Sequence, residues 1–301
     1  MTNKKITLVR ILLYLVFAFG LSFGLQAWYF TQYGWSVSGQ GFPVLVSFCM
    51  LCPALANGLT RLITRQGGKD LLIDFRLRGV RLSYAAAILL PPLCAIAVFF
   101  CAALCCLPAG SLGDIFQSLA WGKAGGTMLY AVCLAAAGCL FGFGEEFGWR
   151  GYLTPQLEKL LPLPAVLPVT GIVWGCWHGL LIAAGAYYTR EDGKDFWLAL
   201  GLMCLYGIGL SVFATAVTKS TGSVIAASLF RAGLEKTVLP VSALLLSYAR
   251  AAALAELKAS SYDLAVLLVS TALCLTVGMV LMLCYSRKHR RSAAERILNS
   301  E

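Results

Sequence analysis

Apolar residues run through this chain in blocks of about twenty, separated by short stretches where charges, glycines and prolines collect. Blocks near 8–30, 42–64, 83–107, 128–153, 168–188, 196–218, 222–247 and 262–285 each match the roughly 20 residues an α-helix needs to cross the hydrocarbon core. The pattern predicts an all-α, polytopic integral membrane protein with about eight transmembrane helices. A short amphipathic piece from Leu112 to Trp121 reads as a surface helix between the third and fourth blocks. The first block is too long for the apolar region of a signal peptide and lacks a small-residue cleavage site, so it is expected to remain as a span. No internal repeat or low-complexity tract interrupts the pattern. Residues 1–301 therefore read as a single polytopic membrane domain, with a core over 8–285 and a basic cytoplasmic tail over 286–301.

Composition agrees: 59% of residues are hydrophobic and 13% charged, where a soluble domain is nearer half apolar and a quarter charged. The net charge of +10 does not point to nucleic acid, because the basic residues sit in loops on alternating sides. Lys4, Lys5 and Arg10, the cluster Arg61, Arg65, Lys69, Arg76, Arg78 and Arg81, and the tail's Arg287, Lys288, Arg290, Arg291 and Arg296 fall on one side. Arg150, Lys159 and Lys219 join them there. Only Lys123, Arg190, Lys194, Arg250 and Lys258 fall on the other. That bias places both termini in the cytoplasm and the protein in the cell membrane as a multi-pass chain. The basic tail is expected to anchor to the anionic inner surface. All twelve cysteines lie in apolar blocks, which argues against a disulfide framework and for small buried hydrophobes.

One run breaks the pattern. Gly142-Phe143-Gly144-Glu145-Glu146-Phe147-Gly148-Trp149-Arg150-Gly151-Tyr152 puts two carboxylates and an arginine into an apolar, glycine-rich helix. An ionisable residue there costs about 2.5–3.5 kcal/mol on insertion scales and marks function by default. Glu145 and Glu146 diverge by about 100° on a helix, so they do not share one proton. Glu146 and Arg150 are four apart and can pair. Glu145 is left as the freer carboxylate, suited to act as a general base. The alternative is a packing network of all three charges.

Two further spans carry polar groups. His178 is one of two histidines, and the other, His289, lies in the tail. Trp174 stands four residues before His178 and shares its face. Arg231 and Glu235, four apart in the seventh block, can pair with each other. Counted from block starts at Pro168 and Gly222, and from Pro155 for Glu145, the charged groups and His178 lie about 14–15 Å deep. They are expected to meet at one level in a cavity open to the cytoplasm.

At these residues the chain resembles the CAAX protease and bacteriocin-processing (CPBP) family of intramembrane proteases, which includes the type II CAAX prenyl endopeptidases. Glu145-Glu146-Phe147-Gly148-Trp149-Arg150 matches its Glu-Glu-x-x-x-Arg motif, and Trp174 with His178 matches its second motif, an aromatic residue four before a histidine. The third motif, His-x-x-x-Asn, is not matched: Arg231 and Glu235 stand at those positions. The resemblance implies a hydrolase, an endopeptidase acting on a peptide or a prenylated protein within the lipid bilayer. It implies Glu145, Glu146 and His178 as catalytic residues, supported by Arg150, Trp174, Arg231 and Glu235. In the family the glutamate is thought to activate a water, and the seventh-span residues to stabilise the oxyanion. No cofactor is required on that scheme. A divalent metal such as zinc, held by Glu145, Glu146 and His178, is the disfavoured version, because an arginine is not a ligand. A guanidinium in the histidine's place can still stabilise an oxyanion, although the departure leaves activity open to impairment. Two alternatives stand beside the endopeptidase: a degenerate relative that binds peptide, as in bacteriocin self-immunity, and a proton-coupled transporter using the two glutamates as a relay.

Overall fold

The computed structural model describes residues 3–35, 37, 39–75, 80–106, 121–186, 195–235 and 259–298, and among these every regular element is helical. In chain order they are α1 (Asn3–Tyr33), α2 (Phe42–Ile63), α3 (Arg81–Cys106), α4 (Trp121–Gly148), a π-helical turn (Trp149–Leu153), α5 (Thr154–Leu157), α6 (Leu163–Trp177), α7 (Gly179–Ala183), α8 (Phe196–Thr221), α9 (225–235) and α10 (Ala259–Leu298). The sequence explains several boundaries. Pro43 and Pro164 occupy first-turn positions, where a missing N–H leaves no helical bond unmade. Gly222 ends α8 at φ +71, and its N–H returns to the Thr218 carbonyl at 2.8 Å.

Among the described residues four helices are long and apolar enough to cross a membrane: Asn3–Tyr33, Phe42–Ile63, Phe196–Thr221 and Leu267–Arg287 within α10. Arg81–Ala97 and Leu163–Trp177 are apolar but shorter. The expected count of about eight is thus not reached among the described residues. The fifth block is divided because the backbone at His178 (φ −83, ψ −3) ends α6 before α7 begins. The seventh is described only to residue 235. Of the predicted surface helix, residues 112–120 lie outside the described residues, and Trp121 opens α4.

α8 packs against both α6 and α10, α2 against both α1 and α4, and α3 against α10. Between these groups sits an aromatic cluster. Trp149 meets Tyr14 edge-on at 5.7 Å between ring centroids and Trp177 at 5.9 Å, and all three rings are fully buried. Leu8, Val16, Leu55, Leu89 and Trp197 stay exposed on the outside. In water such surface would drive aggregation, whereas lipid tails solvate it.

Several of the helix contacts depend on having no side chain. A Cβ on Gly171 of α6 would lie 2.5 Å from the backbone nitrogen of Ile208 in α8. On Gly144 of α4 it would lie 2.5 Å from the Met50 carbonyl oxygen in α2. Backbones this close maximise dispersion contact, the main attraction between helices in lipid. Gly171→Ala must push α6 off α8 and is expected to destabilise the protein by about 1–3 kcal/mol. Gly201→Ala, with open space at its Cβ, gains helix propensity and serves as the control. Thermal unfolding in detergent separates them: equal melting points would refute the close-packing account.

Candidate active site

The site begins at a glycine. A Cβ on Gly142 would meet the Ser228 carbonyl oxygen at 2.5 Å, so α4 and α9 touch backbone to backbone there. Three residues further along each helix, on the same faces, are Glu145 and Arg231. Arg231 Nε donates to Glu145 Oε2 at 3.0 Å and Nη2 donates to Oε1 at 3.1 Å, a two-point guanidinium–carboxylate pair. Glu145 is 1% exposed, so the pair is held away from water. The glycine sets the spacing and the charges fix the register.

α6 contributes the third wall. Trp174 Nε1 donates to Glu145 Oε2 at 2.8 Å. The Arg231 guanidinium lies 5.4 Å from the Trp174 ring centroid, within cation–π range. His178 packs against the same indole, with centroids 4.2 Å apart. Its Nδ1 lies 3.0 Å from the Trp174 carbonyl oxygen. A carbonyl only accepts, so Nδ1 carries the proton and Nε2 is the acceptor of the neutral ring. Trp177 closes the other side of the imidazole at 4.9 Å and is itself fixed by donating from Nε1 to Ser22 Oγ at 2.8 Å.

Glu146 points elsewhere. It accepts from Arg150 Nη1 at 3.0 Å, and both side chains are 2% exposed. Arg150 sits in the π turn, where the Thr154 N–H reaches back five residues to the Trp149 carbonyl. Asn57 of α2 donates from Nδ2 to the Phe147 carbonyl at 2.9 Å, just before that turn. Asn57 Oδ1 accepts in turn from Arg61 Nε at 2.7 Å, and Arg61 Nη1 reaches Asp70 at 2.6 Å and the Gly67 carbonyl at 2.9 Å. A chain of hydrogen bonds therefore runs from the α2–α3 loop to the backbone beside Glu146. In that loop, burial pushes the Asp70 carboxyl up, but the hydrogen bond and charge of Arg61 outweigh it and hold its pKa below the usual value.

Glu145, Arg231, Trp174 and His178 come together, and Glu146 with Arg150 forms a second pair beside them. Several expectations are corrected. Glu145 is not the freer carboxylate: its oxygens accept three hydrogen bonds, while Glu146 Oε2 is buried with no hydrogen-bond partner among the described residues. Arg231 turns its Nε and Nη2 to Glu145, a cross-helix partner that the spacing of four to Glu235 did not indicate. α6 starts at Leu163, fifteen residues before His178, and α9 at residue 225, six before Arg231. Arg150 and Arg61 are not loop cations either, being 2% and 7% exposed. Asn57 and Arg61 escaped the sequence reading, although two polar residues four apart near the end of an apolar block were a usable signal.

Among the described residues no three His, Cys, Asp or Glu side chains are grouped to hold a metal ion. Arg231 donates one hydrogen bond to each oxygen of Glu145.

No curated protein matches this chain. Residues 127–236 match the family model described as type II CAAX prenyl endopeptidase Rce1-like, and that stretch holds Glu145, Glu146, Arg150, Trp174, His178, Arg231 and Glu235.

Proposed function

We propose that this protein is an intramembrane endopeptidase of the CAAX-protease type, with Glu145 as general base and Arg231 as the cation beside it. The observation that carries this reading is the convergence of α4, α6 and α9 on one buried carboxylate. In the proposed step, Glu145 takes a proton from water as the oxygen bonds to the peptide carbonyl carbon. Arg231 stands where negative charge develops on the carbonyl oxygen, and His178 packs beside it against Trp174. The C–N bond then breaks and Glu145 returns the proton to the leaving nitrogen. Glu145 Oε1 accepts only one hydrogen bond from Arg231, so it keeps a lone pair for the water. Glu146, held by Arg150, positions the helix rather than reacting. No metal takes part. We place the site toward the cytoplasm, in a multi-pass chain with both termini inside, on the distribution of basic residues.

The bidentate clamp on Glu145 favours a second reading, a relative that binds peptides without cutting them. A guanidinium at two points holds the carboxylate in its charged form but also occupies the space a water needs. Cleavage of a single-span membrane peptide by purified protein in proteoliposomes decides between them. Wild-type cleavage is expected, and Arg231→His with Glu235→Asn, which restores the family's third motif, is expected to raise the rate about tenfold or more by releasing the clamp. If wild type cuts nothing and the double variant also cuts nothing, the endopeptidase reading is lost.

A further inference from the structure

Arg61 is a cation buried near the end of α2, and the proposed reaction makes no use of it. Its side chain is 8% exposed, and its fork reaches several partners at once. Nε donates to Asn57 Oδ1 at 2.7 Å. Nη1 donates to Asp70 Oδ1 at 2.6 Å and to the Gly67 carbonyl at 2.9 Å. The guanidinium carbon also stands 5.4 Å from the Tyr152 ring centroid, within cation–π range. One planar group thus fixes α2, the loop that follows it and the π turn relative to one another.

Stability alone does not account for this arrangement. The Asp70 side chain is 54% exposed and keeps its hydration, and an ion pair open to water contributes little net free energy. A fork with several partners supplies direction instead, because each N–H must point at its acceptor. Leu72, two residues past Asp70, holds φ +55, a conformation that a leucine keeps where its surroundings impose it.

The contacts made by Asn57 and the loop fall on the two helices that carry the Glu145–Arg231 pair. On one side, Asn57 Nδ2 donates to the Phe147 carbonyl at 2.9 Å, two residues past Glu145. The Tyr152 hydroxyl donates to Gln66 Oε1 at 3.1 Å, further along the same segment. On the other side, the Leu72 carbonyl accepts the Val224 N–H at 2.8 Å, just before α9 starts. That bond satisfies a backbone donor which a helix start leaves open. Val224 stands seven residues before Arg231, a spacing of two turns that puts both on one face. The Gly142 contact with Ser228 sets how closely α4 and α9 approach. Ties at Phe147 and Val224 set how far each helix slides along its axis.

We propose that Arg61 and Asn57 are positioning residues: through the loop after α2 they hold α4 and α9 in the register that sets Glu145 against Arg231. Neither touches the reacting atoms. The inference rests on the reading of Glu145 as general base, and adds to it a brace between the helix carrying the base and the helix carrying its cation.

The test uses full-length protein in proteoliposomes and two conservative variants. Asn57→Leu keeps the side-chain shape and removes both hydrogen bonds. Arg61→Lys keeps the charge, but a single ammonium cannot serve Asn57, Gly67 and Asp70 together. Infrared spectroscopy reports the Glu145 carboxylate whether or not anything is cut, its stretching band being the one lost in Glu145→Gln. Both variants are expected to shift that band as the two-point contact with Arg231 loosens. With a single-span membrane peptide as substrate, both are expected to lower kcat about 10- to 100-fold at unchanged KM, the effect of a misplacement of about an ångström. Ser47 of α2 donates to the Pro43 carbonyl of its own helix at 2.9 Å, so Ser47→Ala is the control and leaves band and rate alone. An unchanged band in both variants overturns the proposal, whatever happens to the melting temperature. So does a raised KM at unchanged kcat, which would place Asn57 or Arg61 against the substrate. A shifted band in a protein whose wild type cuts nothing would lose the endopeptidase reading and keep the brace. A shifted band with unimpaired cleavage would keep the brace and lose Glu145 as the base.

Discussion

Glu145→Gln is expected to lower peptide cleavage by about 10²–10⁴-fold, the range a positioned acid–base group contributes. Glutamine is nearly the same shape, so the contact with Ser228 through Gly142 and the packing of Trp174 need not change. What changes is the chemistry. A neutral amide cannot take a proton from water at neutral pH, and its NH₂ group presents donors toward Arg231 and Trp174, which are themselves donors. Glu145→Asp provides the companion measurement: the charge stays, the carboxylate retreats by one methylene, and misplacement of about an ångström is expected to cost about 10²-fold. Rates come from product formation by protein of verified monodispersity. If Glu145→Gln cleaves as fast as wild type, Glu145 is not the base.

The second large effect is on stability. Arg231→Leu leaves the Glu145 carboxylate buried with Trp174 as its remaining hydrogen-bond donor among the described residues. Removing one partner of a buried pair destabilises by about 3–5 kcal/mol, because the surviving charge is left uncompensated. Glu145→Gln alone is expected to cost less, because the Arg231 side chain is 13% exposed and has Glu235 one turn along. The double variant Glu145→Gln/Arg231→Leu has no stranded charge and is expected to recover much of the loss, giving a coupling energy of several kcal/mol in a double-mutant cycle. Equilibrium unfolding in a fixed detergent is the measurement. Additive single effects would mean that the 3.0 Å contact is incidental to folding.

These two results bear on what replaced the family's third motif. In sequence, Arg231 and Glu235 stand where His-x-x-x-Asn is expected, and the departure raised the question of impairment. In the structure Arg231 is the two-point partner of the Glu145 carboxylate, set there by a helix contact at Gly142 that itself lies in the first motif's helix. The histidine's position has been filled by a group that engages the first motif directly. The substitution is therefore part of the site rather than a gap in it.

Much of this was written in local patterns. Apolar blocks near twenty residues fixed the all-helical, membrane character, since backbone groups in lipid must be paired within their own segment. The cluster Glu145-Glu146-x-x-x-Arg150 and the Trp174–His178 spacing stood out because charge and polarity are expensive there. The Glu146–Arg150 pair followed from a spacing of four, and it is present at 3.0 Å. What periodicity could not supply was where each helix starts and how close two backbones come. Those depend on partners distant in the chain: Gly142 on Ser228, Gly144 on Met50, Gly171 on Ile208. Hence only the tertiary structure decided that Glu145 is the clamped carboxylate and that Arg61 reaches back through Asn57 to the Phe147 carbonyl. A local pattern sets which face a residue occupies, but a hydrogen bond between helices needs a distance, and distance is set by packing.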